Sequence, residues 1–137
     1  MNMHSLPAPG CRVLVVEDDQ DTADGMAALL SASGHEVRIA HDGSTAIAMA
    51  LDFHPHVVLT DIGVPQLNGY EVAARMRQHA DLAGSVLVAI TGYGQEQDRV
   101  RTRAAGFEYH LVKPVEPDEM LRIVRDVAAG WSAGRRG

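Results

Sequence analysis

Four short apolar runs in this 137-residue chain each end in residues able to do chemistry. Val13-Leu14-Val15-Val16 runs into Glu17, Asp18 and Asp19, and Val57-Val58-Leu59 runs through Thr60 into Asp61. The run at 86–90 ends in Thr91, and that at 109–112 in Lys113 and Pro114. If those ends meet, they gather several carboxylates, one hydroxyl and one ammonium. Clustered carboxylates repel one another and need protons or a cation to settle them. Hard oxygen donors suit Mg²⁺, which takes one or two carboxylates and keeps several waters. A carboxylate can also attack phosphorus and form an acyl phosphate. The charge so gained on the oxygens calls for a cation, an ammonium and hydrogen-bond donors. Lys113 offers the ammonium, and Thr91 with nearby backbone N–H groups offers the donors.

For the ends to meet, the runs must be neighbouring strands. The first is uninterrupted and β-branched, as a strand buried on both faces is. Ala23, Met26, Ala27 and Leu30 then recur at i, i+3, i+4 and i+7, one apolar helical face, closed by Gly34. Val37 and Ile39 alternate weakly as a second strand, and Ser44 is suited to cap a helix facing inward through Ile47, Ala50 and Leu51. Residues 69–79 carry Val72, Ala73 and Met76 on a third helical face. Residues 95–105 predict a helix whose apolar face is thin, with Val100, Ala104 and Ala105. Pro117 suits the start of a last helix with Leu121, Val124, Val127 and Ala128 inward. Strands and helices thus alternate five times. That predicts an α/β fold, a three-layer doubly wound sandwich with a parallel sheet. Ligand chemistry in such sheets sits at the carboxyl ends of the strands, where the reactive residues fall. Asp19 and Asp21 are expected to serve the first helix N-terminus instead of a metal.

Composition narrows the function. The chain is 46% hydrophobic, enough for one core, and its net charge of −6 disfavours binding to a phosphate backbone. The single cysteine, Cys11, excludes an internal disulfide. No apolar run reaches the roughly 18 residues of a membrane span. No signal peptide is read at the N-terminus, and a cytoplasmic setting is expected. Residues 1–11 read as a flexible leader, 12–129 as the domain and 130–137, rich in Gly and Arg, as a flexible tail.

The set Val15-Val16-Glu17-Asp18, Leu59-Thr60-Asp61, Val64-Pro65, Asn68-Gly69, Ile90-Thr91-Gly92 and Val112-Lys113-Pro114 resembles the response-regulator receiver family, over residues 12–129. The runs 61–65 and 91–94 are most similar to receivers associated with hybrid sensor histidine kinases. The resemblance implies a five-stranded sheet in the order 2-1-3-4-5 and a phospho-acceptor switch without separate substrate turnover. It implies that Asp61 takes a phosphoryl group from a sensor histidine kinase or a histidine phosphotransfer protein. Mg²⁺, for which Mn²⁺ can substitute, would be held by Asp18, Asp61, the Gly63 carbonyl and, through water, Glu17. Thr91 would bond the phosphoryl oxygens, Lys113 would pair with them, and the bond before Pro114 would be cis. Gly63 and Tyr93 would tune the reset. No nucleic-acid binding or membrane insertion is expected.

Two positions depart from the family pattern. The acid pair is Glu17-Asp18 where Asp-Asp is commoner. The position three before the lysine, usually Tyr or Phe, is His110, with Tyr109 on the opposite face. His110 is expected to take the switch role, and its imidazole opens that role to pH. The thin-faced helix follows Thr91, so residues 92–110 are expected to be the segment that rearranges. A phosphatase of the haloacid-dehalogenase type is the first alternative. It wants a second acid two residues after the nucleophile, where this chain has Gly63. A nucleotide- or flavin-binding module would want a phosphate loop after the first strand, where this chain has acids. A binding module that is never phosphorylated is the last alternative.

Overall fold

The computed structural model describes residues 10–64, 66–92 and 96–132. The elements are β1 (Arg12–Val16), α1 (Gln20–Ala32), β2 (Glu36–Ala40), α2 (Gly43–Phe53), β3 (Val57–Asp61), α3 (Gly69–Arg77), β4 (Val86–Thr91), α4 (Glu96–Ala104), β5 (Tyr109–Val112) and α5 (Pro117–Ser132), with a 3-10 turn at Ala80–Leu82. The strands form one parallel sheet in the order β2-β1-β3-β4-β5.

Burial follows position in the sheet. β3 and β4 are buried at every residue, while the edge strand β2 alternates between exposed and half-buried until Ala40. Central strands covered by helices on both faces bury both sets of side chains, which is why β1, β3 and β4 read as continuous apolar runs. Val13, Val15, Leu59, Val88, Ile90 and Leu111 pack with α1 and α5 on one face. Leu14, Val16, Val58, Leu87 and Ala89 pack with α2 and α3 on the other. Tyr109 packs with the first group, on the face expected for it.

Local signals set most helix ends. Asp19 caps α1 by accepting from the Thr22 N–H at 2.9 Å, and Gly34 (φ 93°) follows α1 in the left-handed region. Asn68 and Glu71 form a reciprocal capping box on α3. The cap of α2 is Asp42, not Ser44: Asp42 accepts from the Thr45 N–H at 2.7 Å, which leaves Ser44 inside the first turn. Both residue types cap well, and the carboxylate one residue before Gly43 wins. The inward face of α4 also differs from expectation. Val100 is 62% exposed and Ala104 is exposed, whereas Thr102 is 3% exposed.

Ordered structure reaches past residues 12–129 on both sides. Cys11, assigned to the leader, is buried. Its N–H donates to His35 Nδ1 at 3.2 Å and its carbonyl accepts the Glu36 N–H at 3.0 Å. At the other end α5 runs on to Ser132, into the expected tail, and Trp131 stands edge-on to His56 at 4.7 Å. Residues 1–9 and 133–137, together with Pro65 and Tyr93, lie outside the described residues.

Candidate functional site

Parallel pairing brings the carboxyl ends of β1, β3, β4 and β5 to one edge. Val16 is opposite Thr60, Asp61 opposite Ile90, and Thr91 opposite Val112. Asp61 therefore ends the central strand, with the acid pair on one side and Thr91 and Lys113 on the other. The sheet sets this order.

Glu17, Asp18 and Asp61 each offer a carboxylate oxygen within 4.8 Å of the other two. The Glu17 side chain is 2% exposed and that of Asp61 is 11% exposed, whereas Asp18 faces solvent. Such a set of hard donors, partly buried and unbalanced in charge, fits a small divalent cation. Lys113 Nζ bonds Asp61 Oδ2 and lies 3.7 Å from Glu17 Oε1. Asp61 Oδ1 accepts the Gly63 N–H at 2.8 Å, and Glu17 Oε2 accepts the Asp19 N–H at 3.0 Å.

These contacts shift protonation. Burial raises the Glu17 pKa above its ordinary value; the Asp19 N–H pulls it back, and the Asp61 charge adds to the rise. Burial works against the Lys113 ammonium, but the Asp61 hydrogen bond and the charges of Asp61, Glu17 and Asp18 together raise its pKa. Asp19 is held below its ordinary value by the Thr22 hydroxyl and N–H, as a cap and not as part of the acid cluster. The Lys113–Pro114 peptide is cis.

Thr91 ends β4 and is buried. Its carbonyl accepts the Lys113 N–H at 2.8 Å, and its Oγ1 lies 2.9 Å from His110 Nε2. His110 is thus beside Thr91, on the α4 side of the sheet. Its Nδ1 lies 3.3 Å from the Thr102 hydroxyl of α4. The sequence reading did not single out Thr102. The available signal was a lone hydroxyl on a helix otherwise short of inward-facing groups, one strand away from the histidine.

A family model, response regulator receiver domain, matches residues 13–125. PilH of Pseudomonas aeruginosa is 32% identical over 119 residues, covering 87% of this chain and 98% of PilH. The DNA-binding dual master transcriptional regulator RpaA of Synechocystis is 31% identical over 114 residues, 83% of this chain but 47% of the regulator. The structure superposes on chemotaxis response regulator CheY4 of Vibrio cholerae with a TM-score of 0.81 at 25% identity, covering 86% of this chain and 98% of that one. It superposes on the receiver domain of sensor histidine kinase PA1611 from Pseudomonas aeruginosa with a TM-score of 0.80 at 27% identity, covering 88% and 98%; that structure holds a magnesium ion coordinated in its active site cleft. Fold order, strand-end chemistry and likeness agree: this chain belongs to the response-regulator receiver family, the phospho-accepting domains of two-component signalling.

Proposed function

We propose that Asp61 is the phospho-acceptor of this receiver and that residues 12–129, extended by Cys11 and by the end of α5, form the working unit. The observation that carries this is Asp61 itself. It is a nearly buried carboxylate at the end of the central strand, bonded by Lys113 and Gly63 and within 4.8 Å of two further acids. A carboxylate oxygen of Asp61 attacks the phosphorus of a phosphohistidine on a sensor histidine kinase or histidine phosphotransfer protein. The new P–O bond forms as the P–N bond breaks, and the imidazole leaves with the bond's electron pair. Lys113 then exchanges its bond to the free carboxylate for one to a phosphoryl oxygen, and Thr91 donates to another. Water attack on phosphorus later releases inorganic phosphate and restores the carboxylate, so Asp61 is reset without turnover of a separate substrate.

Asp18, Asp61, the Gly63 carbonyl and, through water, Glu17 would hold Mg²⁺, or Mn²⁺ in its place. When bound, the ion offsets the negative charge on the phosphoryl oxygens. A groove of about 570 Å³ lies beside Lys113, lined by Glu17, Thr22, Met26 and Pro114 among others. His110 passes the change at Thr91 to α4, within the 92–110 segment proposed to rearrange. The proposed setting is the cytoplasm; no helix of the described residues is long and apolar enough to cross a membrane. With its net charge of −6 the domain is proposed to bind no nucleic acid itself.

Intact-mass measurement after incubation with a small-molecule phosphodonor tests this. A single Mg²⁺-dependent phosphoryl adduct is expected on the wild type and none on Asp61→Asn. A folded, metal-binding wild type that takes up no phosphoryl group would make the chain a binding module instead.

A further inference from the structure

The first two strands run parallel, with Arg12 opposite Glu36 and Val16 opposite Ala40. The Glu36 N–H donates to the Cys11 carbonyl at one end of this ladder, and the Glu17 N–H to the Ala40 carbonyl at the other, each at 3.0 Å. Evenly spaced parallel bonds in this register would next bring the N–H of residue 42 onto the Glu17 carbonyl. The chain instead leaves the sheet after Ala40, with Asp42 as the cap of α2. His41 Nδ1 lies 3.0 Å from the Glu17 carbonyl oxygen. From this contact we infer that His41 is a positioning residue for the acid pair: its ring holds the Glu17 carbonyl, and with it the peptide from which Asp18 reaches the metal site.

A carbonyl oxygen can only accept, so Nδ1 carries the hydrogen whatever else the ring meets. In a neutral imidazole Nε2 is then bare. A free histidine side chain disfavours that tautomer, so its presence marks the bond. The ring thus stands in for a backbone N–H and extends the hold of the sheet one rung past its last paired residues.

That rung matters most for Asp18. Glu17 is buried, and its carboxylate accepts the Asp19 N–H at 3.0 Å and lies 3.7 Å from Lys113 Nζ. Asp18 lies beyond the strand and faces solvent, yet it offers a carboxylate oxygen within 4.8 Å of those of Glu17 and Asp61. The Glu17 carbonyl and the Asp18 N–H belong to one planar peptide unit. Holding the oxygen sets the tilt of that plane, and so the direction in which Asp18 Cα carries its side chain. Freed from the ring, the carbonyl would be hydrated and the peptide could turn. Binding an ion would then have to order Asp18 as well, and affinity would fall. This role rests on the reading of Asp18 as a metal ligand given above, whereas the His41–Glu17 bond does not. Residue 41 is exposed, so its ring can be replaced without opening the core.

Two measurements on the full chain test this. The first is a long-range ¹H–¹⁵N spectrum of the metal-free protein with ¹⁵N-labelled histidine, at about pH 8, where an unperturbed imidazole is neutral. Comparison with His41→Ala assigns the signals of position 41. A protonated, pyrrole-type Nδ1 and a bare, pyridine-type Nε2 are expected, and an Nε2–H ring overturns the inference. The second is Mg²⁺ affinity by calorimetry. His41→Ala should weaken it by about 2- to 10-fold, the range that one neutral hydrogen bond covers. His41→Asn carries an N–H on an atom bonded to Cγ, as Nδ1 is, and should bring affinity back to within about 2-fold of the wild type. Wild-type affinity in His41→Ala overturns the positioning role, and so does an Asn variant no better than the Ala variant. A fall in the urea midpoint in EDTA without that order of affinities marks a purely structural contact and overturns it too. A folded wild type that binds no Mg²⁺ removes the Asp18 reading and the positioning role with it, while the spectrum still decides the His41–Glu17 bond.

Discussion

Lys113→Met removes the ammonium that faces the acid cluster and keeps most of its hydrocarbon stem. The carboxylates left behind sit in poor solvent, since the side chains of Glu17 and Asp61 are 2% and 11% exposed. Breaking a fully buried pair by deleting one partner costs about 3–5 kcal/mol. The Lys113 side chain, however, is 39% exposed, and water can take part of its place. Fully exposed pairs are worth only about 0–1 kcal/mol. Weighting these limits by the exposure at the ammonium end gives a loss of about 1–2 kcal/mol without metal. With a urea slope of about 2 kcal/mol/M, the midpoint in EDTA should fall by on the order of 0.5–1 M. Mg²⁺ should then stabilise the mutant more than the wild type, because no ammonium competes for Asp61. The increment reaches about 2.7 kcal/mol at 100 times the dissociation constant. Urea titrations of both proteins, in EDTA and across Mg²⁺ concentrations, measure all four quantities. A mutant midpoint in EDTA equal to or above the wild type would refute the idea that Lys113 offsets the acid cluster. A Mg²⁺ increment no larger than in the wild type would refute the shared use of Asp61.

Asp18→Asn, at an exposed position, should leave metal-free stability near the wild type but weaken Mg²⁺ by at least the roughly 10-fold that losing an outer-shell partner costs; thermal shift against Mg²⁺ concentration reads both. Burial holds the His35 pKa below its ordinary value of 6.5, so between the two values the unfolded chain binds more protons than the folded one. Stability from this group is therefore present above pH 6.5 and lost as pH falls toward the folded value, and His35→Asn should flatten the fall in urea midpoint between about pH 8 and about pH 5. A Cβ at Gly69 would lie 2.8 Å from Ile62 Cα and 3.2 Å from the Asp61 carbonyl oxygen. Gly69→Ala should therefore cost about 1–3 kcal/mol and slow phosphoryl uptake, read by denaturation and by the mass of the adduct.

The strand-end chemistry was legible because in a central parallel strand sequence and geometry change at the same place. Burial on both faces demands an unbroken apolar run, and the first charged residue after it marks where the strand leaves the core. Asp61 after Val57-Val58-Leu59 is such a break, and the sheet order then places it beside Glu17 and Lys113. Helix α4 was not legible in this way. Its periodicity pointed Val100 inward, yet the structure turns Thr102 to the sheet and leaves Val100 in solvent. With so few apolar residues, burial does not fix the rotation of this helix. Polar contacts do: Thr102 against His110 on its inner face, and Arg101 stacked 3.8 Å from the Tyr70 ring centroid. Contacts of that kind join residues far apart in sequence and have no period of their own. The packing of Cys11 and Trp131 was not legible for a related reason. Cys11 and Trp131 are single residues in segments rich in Gly, Pro or Arg, and contacts with residues distant in sequence, His35 and His56 among them, make them part of the fold. A helix oriented by polar contacts can also be released by polar contacts, since breaking them exposes little apolar surface. The feature that hid the rotation of α4 from the sequence is therefore the one that suits it to answer a change at Thr91.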